Sequence, residues 1–172
     1  YAWVQHMVAS MAQGTGRMAV VLPQGALFRK GAEGEIRKKL LENDLVEAVI
    51  GLAPNIFYGT GLAPAVMVLR RMKSAERVGH ILIIDASTLL RKGRAQNYLD
   101  PEHAGQIVTW VREFRDVTDR VKVVNTNEIK AQDWTLNISR YVLPPTDDAI
   151  PPLPEAVAAF KEALAEARAA ED

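Results

Sequence analysis

Leu45-Val-Glu-Ala-Val-Ile-Gly-Leu52 and Pro64-Ala-Val-Met-Val-Leu69, with Ala53–Ala63 between them, decide the fold of this chain. Each is a short apolar run bounded by glycine or proline, the signature of a buried strand. The segment joining them is too short for a helical crossover, so the two strands are expected to be antiparallel neighbours. Upstream, Met18-Ala-Val-Val-Leu22, closed by Pro23, reads as a fully buried strand of a parallel sheet. Gly31–Gly34 reads as a loop. Glu33–Asn43 reads as a charged amphipathic helix with Ile36, Leu40 and Leu41 on one face. Strand, helix, strand at this spacing is a βαβ unit. The expected fold class is therefore α/β: an open, mostly parallel sheet with one antiparallel strand.

Further out, Trp3, Val4, Met7, Val8 and Met11 recur at helical spacing, and Tyr1–Met11 looks like the middle of a helix in a longer protein. His80-Ile-Leu-Ile-Ile-Asp85 is a fourth strand, and Arg91–Asp100 is polar and loop-like. Asp100-Pro101-Glu102 opens a helix that runs to about Arg115. Val121–Val124 fits a short strand, Asn125–Glu128 a helix cap, and Trp134–Val142 an extended segment. The chain divides into a domain over 1–143, a proline-rich linker over 144–154 and a C-terminal helix over 155–172. That helix carries a narrow stripe of Val157, Phe160 and Leu164.

Composition narrows the chemistry. With 21 basic and 21 acidic side chains the net charge is zero, so bulk charge gives DNA binding no support, although a local patch can still be basic. The absence of cysteine removes disulfides, thiolate metal sites and thiol nucleophiles. His6, His80 and His103 lack ligand spacing, so no metal site is expected. No run approaches bilayer-spanning length and no signal-peptide pattern opens the chain, which makes a soluble, cytoplasmic protein the default.

Two stretches can carry a binding site. Ala53-Pro-Asn-Ile-Phe-Tyr-Gly-Thr-Gly61 sets two aromatics beside two glycines in the turn between the antiparallel strands. Either Phe57 and Tyr58 anchor a hairpin loop on the core, or they offer an aromatic face to a ligand; the residues alone favour the anchor. Leu22-Pro-Gln-Gly-Ala-Leu-Phe28 follows the first strand at its carboxyl end, where open α/β sheets bind ligands, so Gln24 and Phe28 either line a site or pack inward. Arg29, Lys30, Arg37, Lys38 and Lys39 form one basic cluster, and Arg91, Lys92 and Arg94 another. Each can meet phosphate or simply form a solvated face. No dinucleotide fingerprint, P-loop or nucleophile elbow is present, and the residues supply no complete catalytic set.

Taken in order, several stretches resemble the modification subunits of type I restriction–modification systems, which are N6-adenine DNA methyltransferases. They are Gly16-Arg-Met-Ala-Val-Val-Leu-Pro-Gln-Gly25, Ile36–Glu42, Leu45–Leu52, Pro54–Gly61, His80–Ser87 and Leu136-Asn-Ile-Ser-Arg-Tyr-Val142. The resemblance implies a partial doubly wound, Rossmann-like methyltransferase sheet, the later part of a catalytic domain, whose last strand is inserted antiparallel. It implies that Asn55, Phe57, Tyr58 and Gly59 hold a flipped-out adenine, that Gln24 and Phe28 line the cleft, and that Arg29 and Lys30 contact the DNA backbone. Which of Phe57 and Tyr58 faces the base is left open. The family's donor-binding glycine loop and its Asn-Pro-Pro-aromatic motif are not in these residues. S-adenosylmethionine is thus expected in the intact protein and not on this fragment, which should be inactive alone. The implied partners are DNA and the specificity and restriction subunits of a type I complex. The alternative is a non-catalytic interaction module that docks to a specificity subunit through the C-terminal helix.

Overall fold

The computed structural model describes residues 1–143 and 152–169. In chain order the elements are α1 (Ala2–Ser10), β1 (Arg17–Pro23), α2 (Ala32–Glu42), β2 (Val46–Leu52), β3 (Pro64–Arg70), β4 (His80–Ala86), β5 (Arg91–Lys92), β6 (Asn97–Tyr98), α3 (Pro101–Glu113), β7 (Val121–Asn125), α4 (Thr126–Ala131) and α5 (Leu153–Ala169). Short 3-10 turns occupy Gln24–Leu27, Ala75–Arg77 and Ile138–Arg140.

Five strands form one mixed sheet in the order β1-β3-β2-β4-β7, and β5 and β6 form a small separate hairpin. β3 lies between β1 and β2 and runs antiparallel to both; for β2, the short Ala53–Ala63 connection requires it. β2 and β4 are parallel.

The expectation of a single reversed strand is corrected at the far edge, where β7 is antiparallel to β4. The reason is a tight turn before β7. Val117 and Val121 exchange two backbone hydrogen bonds of 2.9 Å, with Asp119 at φ 59°, so the chain folds back after α3 and enters β7 beside the end at which β4 leaves the sheet.

A second correction concerns β1. It is an edge strand and is not fully buried: Arg17, Ala19, Val21 and Pro23 are exposed while Met18, Val20 and Leu22 turn toward the core. A third concerns 134–142. This segment is not extended, because Asp133 and Trp134 both have φ 56° and Ile138–Arg140 coils into a 3-10 turn. Leu136 N–H donates to Leu27 O at 2.8 Å, and Tyr141 Oη donates to Thr135 O at 2.6 Å.

Apolar clusters cover both faces of the sheet. On one, Val4 of α1, Leu40 and Leu41 of α2 and Ile129 of α4 pack on Val49, Met67, Leu69, Ile81 and Ile83. On the other, Ile107 and Trp110 of α3 pack on Ala48, Ile50, Leu82 and Ile84. A bulge at Glu47 interrupts the alternation of β2 and places a carboxylate among buried atoms, where Arg70 and Arg77 each donate to it at 3.0 Å.

Caps set the helix ends. Pro101 sits in the first turn of α3, and Asn125 and Glu128 form a reciprocal capping box on α4. Arg37, counted from sequence among the surface cations, is buried. Its guanidinium donates to the carbonyls of Trp134 (2.9 Å), Ala26 (3.1 Å) and Arg29 (2.9 Å), and so ties α2 to the two loops it crosses. Residues 144–151 of the expected linker lie outside the described residues. The stripe on α5 is solvent-facing, with Val157, Phe160 and Leu164 all exposed. No helix among the described residues is long and apolar enough to cross a membrane.

Candidate nucleic-acid interface

The ends at which β1, β2 and β4 leave the sheet, together with the start of β3, gather the loops with binding chemistry. In the β2–β3 loop, Asn55 (φ 57°) and Gly59 (φ 77°) take left-handed conformations, which Asn tolerates and Gly adopts freely. These turns present the two aromatics differently. Phe57 is 44% exposed and lines an apolar hollow of about 220 Å³ with Val21, Leu22, Pro23, Leu62 and Pro64. Tyr58 is 94% exposed and stands clear of that hollow. Neither aromatic packs in the apolar clusters of the sheet; the loop's inward anchor is Ile56, which packs on the cluster beneath α3.

Asn55 itself is occupied. Its carbonyl accepts the Asn97 N–H at 2.7 Å, and its amide donates to Ala95 O at 3.4 Å. Asn97 Nδ2 also donates to Pro54 O at 2.9 Å. Sequence reasoning passed over Asn97 because Arg91–Asp100 read as plain loop. The only local signal was a glycine, Gly93, between polar residues, which suits a hairpin turn; in the fold a Cβ there would lie 2.5 Å from the Tyr98 ring.

Gln24 and Phe28 share a cleft of about 260 Å³ with Asp85, Ser87, Asn137 and Ile138. Beneath it, Ile138 takes the space that a side chain at Gly51 would fill. The Asp85 carboxylate accepts the Ser87 N–H at 2.9 Å. Gln24 connects this cleft to the aromatic loop, since its backbone N–H donates to Ala63 O at 3.4 Å.

Arg29 and Lys30 are exposed beyond Phe28, beside Glu33 (3.8 Å) and Asp133 (3.3 Å) respectively. Lys30 lines a neighbouring cleft of about 440 Å³ with Phe28, Asn137 and Arg140. The structure therefore joins Gln24 with Phe28, and Phe57 with the end of β1, while Arg29 and Lys30 stay apart from the aromatic loop.

On the hairpin, Arg91 forms a two-pronged pair with Asp100 (2.7 and 3.1 Å) and stacks over Tyr98 at 4.4 Å. Hydrogen bonding from that guanidinium holds the Asp100 carboxyl below its ordinary range.

An α/β sheet that gathers its loops at the carboxyl ends of the parallel strands has the arrangement in which open α/β folds place ligand sites. The model of the N-6 DNA methylase family matches residues 1–149, and the chain belongs to that family. Among its relatives, the type I restriction enzyme MjaVII methylase subunit of Methanocaldococcus jannaschii is 40% identical over 147 residues, 84% of this chain and 25% of the relative. The HindI methylase subunit of Haemophilus influenzae is 30% identical over 161 residues, 88% of this chain and 36% of the relative. The crystal structure of a type I restriction–modification methyltransferase subunit from Streptococcus thermophilus superposes with a TM-score of 0.77 at 37% identity, covering 82% of this chain and 30% of that one. The chain thus spans a quarter to about a third of the length of these proteins.

Methyltransferases of this family imply S-adenosylmethionine as donor. The glycines flanking β1 offer no cradle: a Cβ at Gly16 would meet Ala12 O at 2.5 Å, and one at Gly25 would meet the Arg29 guanidinium at 3.0 Å. Backbone fills the space at Gly16, and the end of the exposed Arg29 side chain covers that at Gly25.

Proposed function

We propose that this chain is the target-base and DNA-contacting part of an N6-adenine DNA methyltransferase of a type I restriction–modification system. The observation that carries the proposal is the apolar hollow at Phe57, built on the free edge strand β1. An extruded adenine needs an apolar face to replace its lost stacking, and aromatic stacking contributes about 1–3 kcal/mol per base. Phe57 supplies that face, Tyr58 reaches outward to the DNA, and Asn55 and Gly59 shape the loop. Gln24 and Phe28 line the adjoining cleft, and Arg29 and Lys30 meet backbone phosphate at its outer rim.

In this account the donor loop and the Asn-Pro-Pro-aromatic motif belong to the rest of a longer methyltransferase, whose strands continue a doubly wound sheet from the free edge of β1. S-adenosylmethionine binds there, and the chain alone is inactive. Sequence choice and cleavage come from specificity and restriction subunits, and the assembly works in the cytoplasm.

A second role is favoured by the exposed stripe Val157, Phe160 and Leu164 on α5, which suits a helix-pair contact with a specificity subunit.

The test combines two titrations of the 172-residue chain. Calorimetry should give no tight S-adenosylmethionine binding. Fluorescence anisotropy should show tighter binding to a duplex with a mispaired adenine than to its paired counterpart, because a mispaired base is cheaper to extrude. Tight donor binding, or no preference between the duplexes, contradicts the proposal.

A further inference from the structure

The hairpin Arg91–Tyr98 is joined to the aromatic loop by three hydrogen bonds, Asn97 N–H to Asn55 O, Asn97 Nδ2 to Pro54 O and Asn55 Nδ2 to Ala95 O. Two-residue strands have little stability of their own, so these bonds and the Arg91–Asp100 pair hold the hairpin in place. Charge is distributed unevenly over this unit. Although acidic and basic side chains balance at 21 each, Ala53–Ala63 and Ala86–Leu99 together contain Arg91, Lys92 and Arg94 and no aspartate or glutamate.

Those three cations differ in what they do. Arg91 is consumed by Asp100 and the Tyr98 ring. Lys92 and Arg94 are exposed and have no carboxylate partner among the described residues, so both are free to meet an anion. Uncommitted cations on a hairpin that is hydrogen-bonded to the aromatic loop suit a phosphodiester backbone whose bases are within reach of an aromatic face.

We propose that the Arg91–Tyr98 hairpin is a DNA-backbone clip, with Lys92 and Arg94 gripping phosphates next to the extruded base and Asn97 acting as the positioning residue that fixes the clip to the base-holding loop. The proposal rests on the base-holding role given to that loop above. It makes the hairpin, and not the Arg29–Lys30 rim, the phosphate contact nearest the target nucleotide.

The test is duplex binding by the 172-residue chain over a range of salt concentrations, with paired and mispaired target adenine. Each phosphate contact contributes about 0.9 to the slope of log affinity against log salt. Lys92→Ala/Arg94→Ala should lower the slope by about 1.8 and weaken both duplexes equally, leaving the mispair preference intact. Asn97→Ala should erode the mispair preference, an effect that mere loss of charge does not produce. A Lys161→Ala/Arg168→Ala control, which removes the same charge from α5, should leave the slope near that of the unsubstituted chain.

An unchanged slope in Lys92→Ala/Arg94→Ala, or an equal loss in the control, overturns the clip while the base-holding reading stands. An intact mispair preference in Asn97→Ala overturns the positioning role. Failure of the unsubstituted chain to prefer the mispaired duplex overturns both readings together. If the hairpin served an acidic protein surface instead, the DNA slope would not respond to the double substitution.

Discussion

Ile138 seats its side chain on Gly51: a Cβ placed on that glycine would lie 2.5 Å from Ile138 Cδ1. Gly51 lies in β2, which is buried along its whole length, and Ile138 begins the 3-10 turn that walls the Gln24–Phe28 cleft. A strand interior ordinarily prefers a side chain, so glycine here marks a close approach and not a turn. Gly51→Ala should overpack this contact, costing about 1–3 kcal/mol in urea unfolding, and should displace Asn137 and Ser139 at the cleft. A fully stable variant would show that Ile138 has room to move.

Glu47 is 3% exposed and is held between Arg70 and Arg77, each at 3.0 Å. Removing one member of a buried ionic group leaves the others unpaired. Arg77 also donates to Arg112 O and stacks on Phe114, so the group ties β2 to α3. Glu47→Gln should destabilise the chain by about 3 kcal/mol, with the loss measured as a lower midpoint in denaturant. A change of only a few tenths would mean that water screens the two guanidinium groups well.

Arg37→Lys is expected to be far from conservative. One ammonium cannot reproduce the fork that serves Trp134, Ala26 and Arg29, and buried carbonyls lose their donors. The loss should reach about 2–3 kcal/mol, accompanied by faster amide exchange in the turn before Phe28. Retention of protection at Leu136 N–H, which bonds to Leu27 O, would contradict that link.

Alkaline stability should depend on two tyrosines. Burial pushes the Tyr141 hydroxyl up to about 12 and that of Tyr1 upward from its ordinary 10.0. Between pH 10 and about 12 the folded chain keeps the Tyr141 proton while the unfolded chain has released it, so stability falls as pH rises through this window. Below pH 10 both states are protonated and the contribution is constant. Tyr141→Phe should flatten part of the decline, leaving the share due to Tyr1. An identical pH profile in the variant would refute the assignment.

How much was legible from the sequence differed by element, for physical reasons. β2 and β3 were legible as antiparallel because a short connection permits nothing else. The capping residues of α3 and α4 were legible because caps are local. The reversal of β7 was not, since it depends on a turn at Thr118–Asp119 in which Asp119, and no glycine, carries the positive φ. Likewise Arg37 resembles its neighbours Lys38 and Lys39 in sequence, and only the tertiary fold turns it inward. Asn97 matters through Asn55, forty-two positions away, a pairing that no local pattern encodes.

The two loop aromatics should separate cleanly in DNA binding. Phe57→Ala removes the face that lines the hollow and should abolish the preference for a mispaired adenine, a loss of about 1–3 kcal/mol. Tyr58→Ala removes an outward contact and should weaken paired and mispaired duplexes alike. A reversed pattern would move the stacking role to Tyr58.

Photo-cross-linking tests the base-holding claim most directly. The full-length methyltransferase carrying this chain would be bound to DNA with 5-iodouracil at the target position, irradiated, and the adduct mapped by mass spectrometry. The adduct is predicted on Phe57, in the hollow formed with Leu22 and Leu62. An adduct confined to the Gln24–Phe28 cleft, or lying wholly outside residues 54–64, would contradict the assignment of this loop to the extruded adenine.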